Sequence, residues 1–190
     1  MYETKLLTAS EADIDLAAEL IRRGELVGMP TETVYGLGAD ALNSEAVGRI
    51  FVAKGRPADN PLIVHICDIS QLEEYAHDIP KTAYLLAEKF WAGPLTMVLP
   101  KRDIIPDITS AGLDTVGIRL PCHKAAQKLI KASGRAIAAP SANLSGSPSP
   151  TTAAHVMADM NGRIHAVIDG GSCPVGVEST VIAFEKGAVR

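Results

Sequence analysis

Apolar segments with helical spacing alternate with short extended apolar runs along nearly the whole of this chain, and that alternation limits its fold more than any other feature. Ser10 with Asp13 three residues later makes a capping-box-like start; Ile14, Leu16, Ala17, Leu20 and Ile21 then recur at roughly helical spacing until Gly24 supplies a stop. Further helical segments are expected over Ser44–Lys54, 70–77, Lys81–Phe90, 121–131 and 151–160. Between them lie extended runs at 25–29, 62–66, 95–99, 115–120, 136–139, 166–169 and 179–184. Residues 30–33 read as polar punctuation before 34–38, 141–149 as a loop of small polar residues, 170–176 as a glycine-containing turn, and 185–190 as a turn entering one more strand. Such alternation predicts an α/β sheet covered by helices. With 190 residues and no repeat, low-complexity tract or linker, residues 1–190 are expected to form one domain around one core.

Charge and cysteine usage narrow the setting. A formal net charge of -4 gives no global nucleic-acid signature, so any anion site must be a local cluster. Cys67, Cys122 and Cys173 are odd in number and widely spaced, which suits a reducing compartment better than a disulfide framework. No signal-length apolar segment opens the chain, and no apolar run reaches the roughly 18 residues that a membrane helix needs. A cytoplasmic protein without a membrane partner is expected.

Several familiar chemistries lose their usual signals. There is no G-x-x-x-x-G-K-[ST] loop, no G-x-S-x-G, no S-x-x-K and no H-E-x-x-H. Residues 36–41 match a relaxed dinucleotide pattern, but Thr31, Glu32 and Thr33 interrupt the strand that should precede it, and Asn43 and Ser44 separate it from the next helix. Cys67 near His65, and Cys122 beside His123, lack convincing zinc spacing.

Polar residues instead gather in loops at the ends of apolar runs: 31–33, 54–60, His65, 115–119, 141–143 and 178–180. In open α/β sheets such ends converge on one ligand crevice. The densest is Lys54-Gly55-Arg56-Pro57-Ala58-Asp59-Asn60-Pro61, where two fixed cations on a loop stiffened by proline suit a polyphosphate. Each loop also has an ordinary structural reading. Thr31 and Thr33 serve as turn caps, Ser141 and Asn143 hold a tight turn, Lys54 and Arg56 favour a helix end, and His65 is a hydrogen-bonded core residue. Lys124, Lys128 and Lys131 share one helix face, solvated or laid against an RNA backbone.

Taken together, the motifs resemble the YrdC-like domain of the threonylcarbamoyl-AMP synthases. They are Pro30-Thr31-Glu32-Thr33-Val34-Tyr35-Gly36-Leu37-Gly38, Lys54-Gly55-Arg56-Pro57, Asn60-Pro61-Leu62, Trp91-Ala92-Gly93-Pro94-Leu95-Thr96, Gly117-Ile118-Arg119-Leu120-Pro121, Pro140-Ser141-Ala142-Asn143-Leu144-Ser145-Gly146 and Glu178-Ser179-Thr180-Val181. They run in family order from about residue 10 to 184. The resemblance implies a YrdC/DHBP synthase-like fold, a twisted open mixed sheet with flanking helices around a large concave cavity. It implies that L-threonine, bicarbonate or CO2, and ATP give L-threonylcarbamoyl-AMP and pyrophosphate, with magnesium accompanying the ATP. The product serves tRNA modification beside the anticodon through a separate threonylcarbamoyl transferase complex.

Carried over residue by residue, the resemblance makes Lys54 and Arg56 the catalytic cations and, with Asn60, Thr115, Ser141, Ser149 and Arg190, the ATP contacts. It gives threonine to Thr33, His65, Arg119, Ala139 and Ser179, with Arg119 on the carboxylate, and it calls for no resident metal site and no protein nucleophile. The family's returning strand carries Arg-x-Gly after the Glu-Ser-Thr-Val motif; here the sequence reads Gly187-Ala188-Val189-Arg190, so either Arg190 takes that role or the arginine lies further on. Longer members carry a second C-terminal domain, so these residues are either a short form or a piece of a longer protein. Two alternatives stand beside the enzyme: a non-catalytic module for tRNA or double-stranded RNA, against which net acidity and the lack of an aromatic stripe speak, and a related carbamoyl-adenylate-forming domain.

Overall fold

Capping residues set the helices where the spacing predicts them. In the computed structural model, which describes residues 3–185 and 188–189, the Ser10 hydroxyl accepts the Asp13 N–H at 3.3 Å and opens α1 (Glu11–Arg22). The Asn43 side chain accepts from Glu45 and Ala46 at the start of α2 (Ser44–Lys54), and Gly55, at φ +62°, ends it in the left-handed conformation that favours glycine. The segment 70–77 forms a 3-10 turn and one short helix, α3 (Leu72–Tyr75), rather than a continuous helix. Then come α4 (Lys81–Phe90), a single turn α5 (Asp107–Ser110) that the sequence did not announce, α6 (Lys124–Ser133) and α7 (Ala153–Met160). The 121–131 helix starts three residues late because His123, not the segment around Pro121, caps it.

Ten strands are described: β1 (Lys5–Leu7), β2 (Val27–Met29), β3 (Gly36–Asp40), β4 (Ile63–His65), β5 (Leu95–Pro100), β6 (Thr115–Arg119), β7 (Ile137–Ala138), β8 (Ala166–Ile168), β9 (Thr180–Glu185) and β10 (Ala188–Val189). They form one mixed sheet in the order β1-β8-β2-β3-β7-β4-β6-β5-β9-β10. Parallel pairs (β1 with β8, β8 with β2, β4 with β6, β5 with β9) are mixed with antiparallel ones, so the fold class expected above holds.

Side-chain alternation splits the interior into two cores. Val27, Met29, Ile137, Ala166 and Ile168 face α1 and α6, where Ile14, Ile21, Leu129 and Ile130 close over them. Leu37, Ala39, Val64, Ala138 and Val167 face the larger cluster, which includes Val47 and Ile50 of α2 and Val156 of α7. The segment 30–33, read as polar punctuation, is buried throughout. Among the described residues no helix is long and apolar enough to cross a membrane.

Candidate active site

Strand register gathers the polar residues. The parallel pairing of β4 with β6 sets His65 opposite Arg119, the antiparallel pairing with β7 sets it opposite Ile137, and Ala139 follows β7 with its N–H on the Ile63 carbonyl at 2.9 Å. A cavity of about 140 Å³ opens there. Its walls include Thr31, Thr33, His65, Arg119, Ala139, Ser141 and Ser179, so all five residues expected to hold an amino acid share one space.

Thr31 and Thr33 do more than cap a turn. The Thr31 hydroxyl donates to the Val34 carbonyl at 2.7 Å and accepts the Thr33 N–H at 3.1 Å, a local side-chain-to-backbone turn that satisfies this buried segment without strand pairing. Because the Thr31 proton is committed to Val34, Thr33 donates to Thr31 at 2.9 Å, and its own oxygen accepts from Arg119 Nη1 at 3.0 Å. One directional chain therefore runs from Arg119 through both threonines.

Arg119 is only 3 % exposed. Its Nη2 donates to Glu32 Oε1 and its Nε to the Gly93 carbonyl at 3.3 Å; with Thr33, three of its five N–H groups are occupied. The other Glu32 oxygen, Oε2, accepts the Cys122 N–H at 3.0 Å. Burial pushes the Glu32 pKa up, but the charge and hydrogen bond of Arg119 outweigh it, and the carboxyl sits below its ordinary range.

His65 is buried, with Nδ1 at 3.3 Å from the Ile137 carbonyl. A carbonyl only accepts, so Nδ1 carries the proton and Nε2 keeps a lone pair. Burial first and then the Arg119 charge pull its pKa down to about 3, which fixes the ring as neutral imidazole. Also lining the cavity, the Ser179 hydroxyl lies 2.7 Å from the Thr96 hydroxyl of β5, and Ser149 donates to Glu178 at 2.5 Å. A loop positions this part of the lining: Val175 and Gly176 give their N–H groups to the carbonyls of Glu32 and Thr33, both at 3.0 Å. The same loop is anchored by Tyr35, whose hydroxyl donates to the Gly171 carbonyl at 2.7 Å and accepts the Gly170 N–H at 3.1 Å. Burial pushes that phenol up to about 12, so it keeps its proton.

The cationic loop is arranged differently from a bare phosphate cradle. Lys54 is buried at the C-terminal end of α2, where Nζ donates to the carbonyls of Ser141 and, at 2.7 Å, Asn143. It clamps the turn that brings Ser141 to the cavity, while burial, then Arg56, pull its pKa down to about 8 against the opposing effect of Asp159. Arg56 is half-buried beyond Gly55, and Asn60 is exposed with Nδ2 on Asp59 at 3.2 Å. Thr115 begins β6, at the end opposite Arg119, and Ser149 stands behind Glu178; neither borders the cavity. Arg190 lies outside the described residues. Among the described residues no three His, Cys, Asp or Glu side chains converge to hold a metal ion. Sequence reasoning missed Glu32, whose one signal was an acid lying between two threonines and an apolar run.

The comparisons extend this geometry. The family model Sua5_yciO_yrdC, described as "Telomere recombination", matches residues 19–190. The threonylcarbamoyl-AMP synthase of Pyrococcus abyssi (strain GE5 / Orsay) is 60% identical over 172 residues, covering 90% of this chain and 51% of the relative. That of Bacillus subtilis (strain 168) is 55% identical over 181 residues, covering 95% and 52%. The chain thus spans about half the length of these relatives. The crystal structure of P. abyssi Sua5 complexed with L-threonine superposes with a TM-score of 0.96 at 55% identity, covering 98% of this chain and 56% of that one. E. coli YciO, at 23% identity and a TM-score of 0.86 over all of this chain and 94% of its own, shares the fold.

Proposed function

The chain belongs to the Sua5/YciO/YrdC family, and from that premise we propose that it converts L-threonine, bicarbonate or CO2, and ATP into L-threonylcarbamoyl-AMP and pyrophosphate. The observation that carries this reading is the pairing of a fixed guanidinium with a neutral imidazole across one small cavity, Arg119 beside His65. Support comes from the relatives, named as this synthase, and from the structure of P. abyssi Sua5 complexed with L-threonine.

The residues suit the chemistry. Two N–H groups of Arg119 are left for a carboxylate after Gly93, Thr33 and Glu32 are served. Neutral His65 offers an Nε2 acceptor to the hydroxyl or amino group and places no like charge against the amine, which must lose a proton before it attacks carbon. The resulting carbamate oxygen attacks the α-phosphorus of ATP, and pyrophosphate leaves. Because the reactants are themselves nucleophile and electrophile, the protein's contribution is positioning and charge stabilisation. In this reading Lys54 and Arg56 are the catalytic cations. Lys54 holds the Ser141 turn against the nucleotide, Arg56 and Asn60 face the triphosphate from outside the threonine cavity, and Thr115, Ser149 and Arg190 complete the nucleotide set. ATP brings magnesium as part of the substrate. The product is handed, in the cytoplasm, to a transferase complex that modifies tRNA.

The test is threonine-dependent pyrophosphate release by folded protein supplied with ATP, bicarbonate and magnesium. Release above blank that disappears without threonine is expected; no signal, or equal signal with carbamoyl phosphate in place of threonine and bicarbonate, overturns the reading.

A further inference from the structure

Arg119 poses a selectivity problem. A buried guanidinium with free N–H groups at a cavity wall is a general oxyanion site and takes phosphate as readily as a carboxylate. Any cell supplies abundant phosphate, and under the reading above a triphosphate binds next door. Glu32 stands where that problem is answered. It is 4 % exposed and does not border the cavity, so it contacts Arg119 from the far side. Both its carboxylate oxygens are committed, one to Arg119 and the other to the Cys122 N–H, and its own carbonyl accepts from Val175. This rigid hold keeps Glu32 from swinging into the cavity to compete with a ligand.

We propose that Glu32 is the specificity-determining residue of the cavity: by neutralising Arg119 from behind, it makes the site accept a zwitterionic amino acid and refuse a free inorganic anion. The proposal rests on the threonine reading. The charge count supports it. Arg119 and Glu32 cancel, His65 is neutral, Lys54 is not among the residues lining the cavity, and Glu178, which is, adds a carboxylate, so the pocket presents directed N–H donors without surplus positive charge. A zwitterion satisfies the donors with its carboxylate and has no net charge to repel. Phosphate meets the same donors but also the field of the Glu32 carboxylate at close range, where little water screens it.

The test is calorimetric titration of the whole chain with L-threonine and with inorganic phosphate, separately and in competition, for wild type, Glu32→Gln and Glu32→Asp. Wild type is expected to bind threonine with no competition from phosphate. Glu32→Gln is expected to gain phosphate affinity by about tenfold or more and to show phosphate competing with threonine, the direction expected when one close countercharge is lost. Glu32→Asp keeps the charge on a shorter arm, so phosphate stays excluded even where threonine affinity falls; a merely structural role predicts that both variants behave alike. Phosphate competing in wild type, exclusion persisting in folded Glu32→Gln, or exclusion lost in Glu32→Asp each overturns the proposal. Should Glu32→Gln fail to fold, Glu32→Asn, neutral and of the same length as Glu32→Asp, takes its place in the comparison. Absence of threonine binding by wild type refutes the threonine reading instead, and direct phosphate titration then reads the charge selectivity alone.

Discussion

A side chain that spends three hydrogen bonds on its own protein can hold still and retain two for a ligand, and Arg119 is built that way. Replacing it with alanine removes both functions and strands Glu32 as an uncompensated buried carboxylate. Arg119→Ala is expected to raise the threonine KM on the order of a hundredfold while the ATP KM moves little; steady-state kinetics varying each substrate in turn check this, and equal shifts in both would remove the guanidinium from the amino acid. For His65, whose pKa falls from 6.5 to about 3, an NMR titration should show the ring still neutral at about pH 5, with its proton on Nδ1. His65 was legible as a lone polar residue in an apolar strand, and Arg119 as the polar end of an apolar run that falls in a motif of the resemblance. Glu32 was not, because an acid beside two threonines reads as a solvated turn until the partner 87 positions away along the chain is known.

Helices proved more legible than strands, for a physical reason. The bounds of α2 and α4 are the expected ones because a helix is stopped by residues adjacent to it, such as Gly55 after Lys54. Asn43→Ala is accordingly expected to cost about 1 kcal/mol, read by denaturant unfolding, since it removes the acceptor for the Glu45 and Ala46 N–H groups. Strands are made by distant partners. β1 was missed because Lys5–Leu7 has one buried residue and little pattern; it exists because Ala166–Ile168 pairs with it. The same dependence makes β3 intolerant. A Cβ on Gly38 would lie 2.9 Å from Ile137 Cγ2 and 3.3 Å from the Val27 carbonyl oxygen, so Gly38→Ala should cost about 1–3 kcal/mol by overpacking and lower the melting temperature. Lys54 shows where element and site diverge: its place at the helix end was legible, but its bonding to the 141–143 carbonyls depended on a turn no local pattern specifies.

For the molecule as a whole, buried titratable groups set how stability varies with pH. His65 has a folded pKa below its ordinary value, so the unfolded chain binds the extra proton; stability is fully present above about 6.5 and is lost as pH falls from there towards about 3. Urea midpoints taken across that window should fall with acid more steeply for wild type than for His65→Gln. Threonine, if it binds the folded state alone, should add stability that grows with the logarithm of its concentration, about 2.7 kcal/mol at a hundredfold excess over Kd, read as a rising melting temperature. The sheet order carries a further consequence. β5 pairs with β9, joining residues 95–98 to 180–183, and that pairing helps to hold Ser179 at the cavity. During synthesis, Thr33, His65 and Arg119 therefore leave the ribosome well before Ser179, and the emerging chain carries a half-built pocket, open to water, until residue 183 is free to zip alongside residue 98.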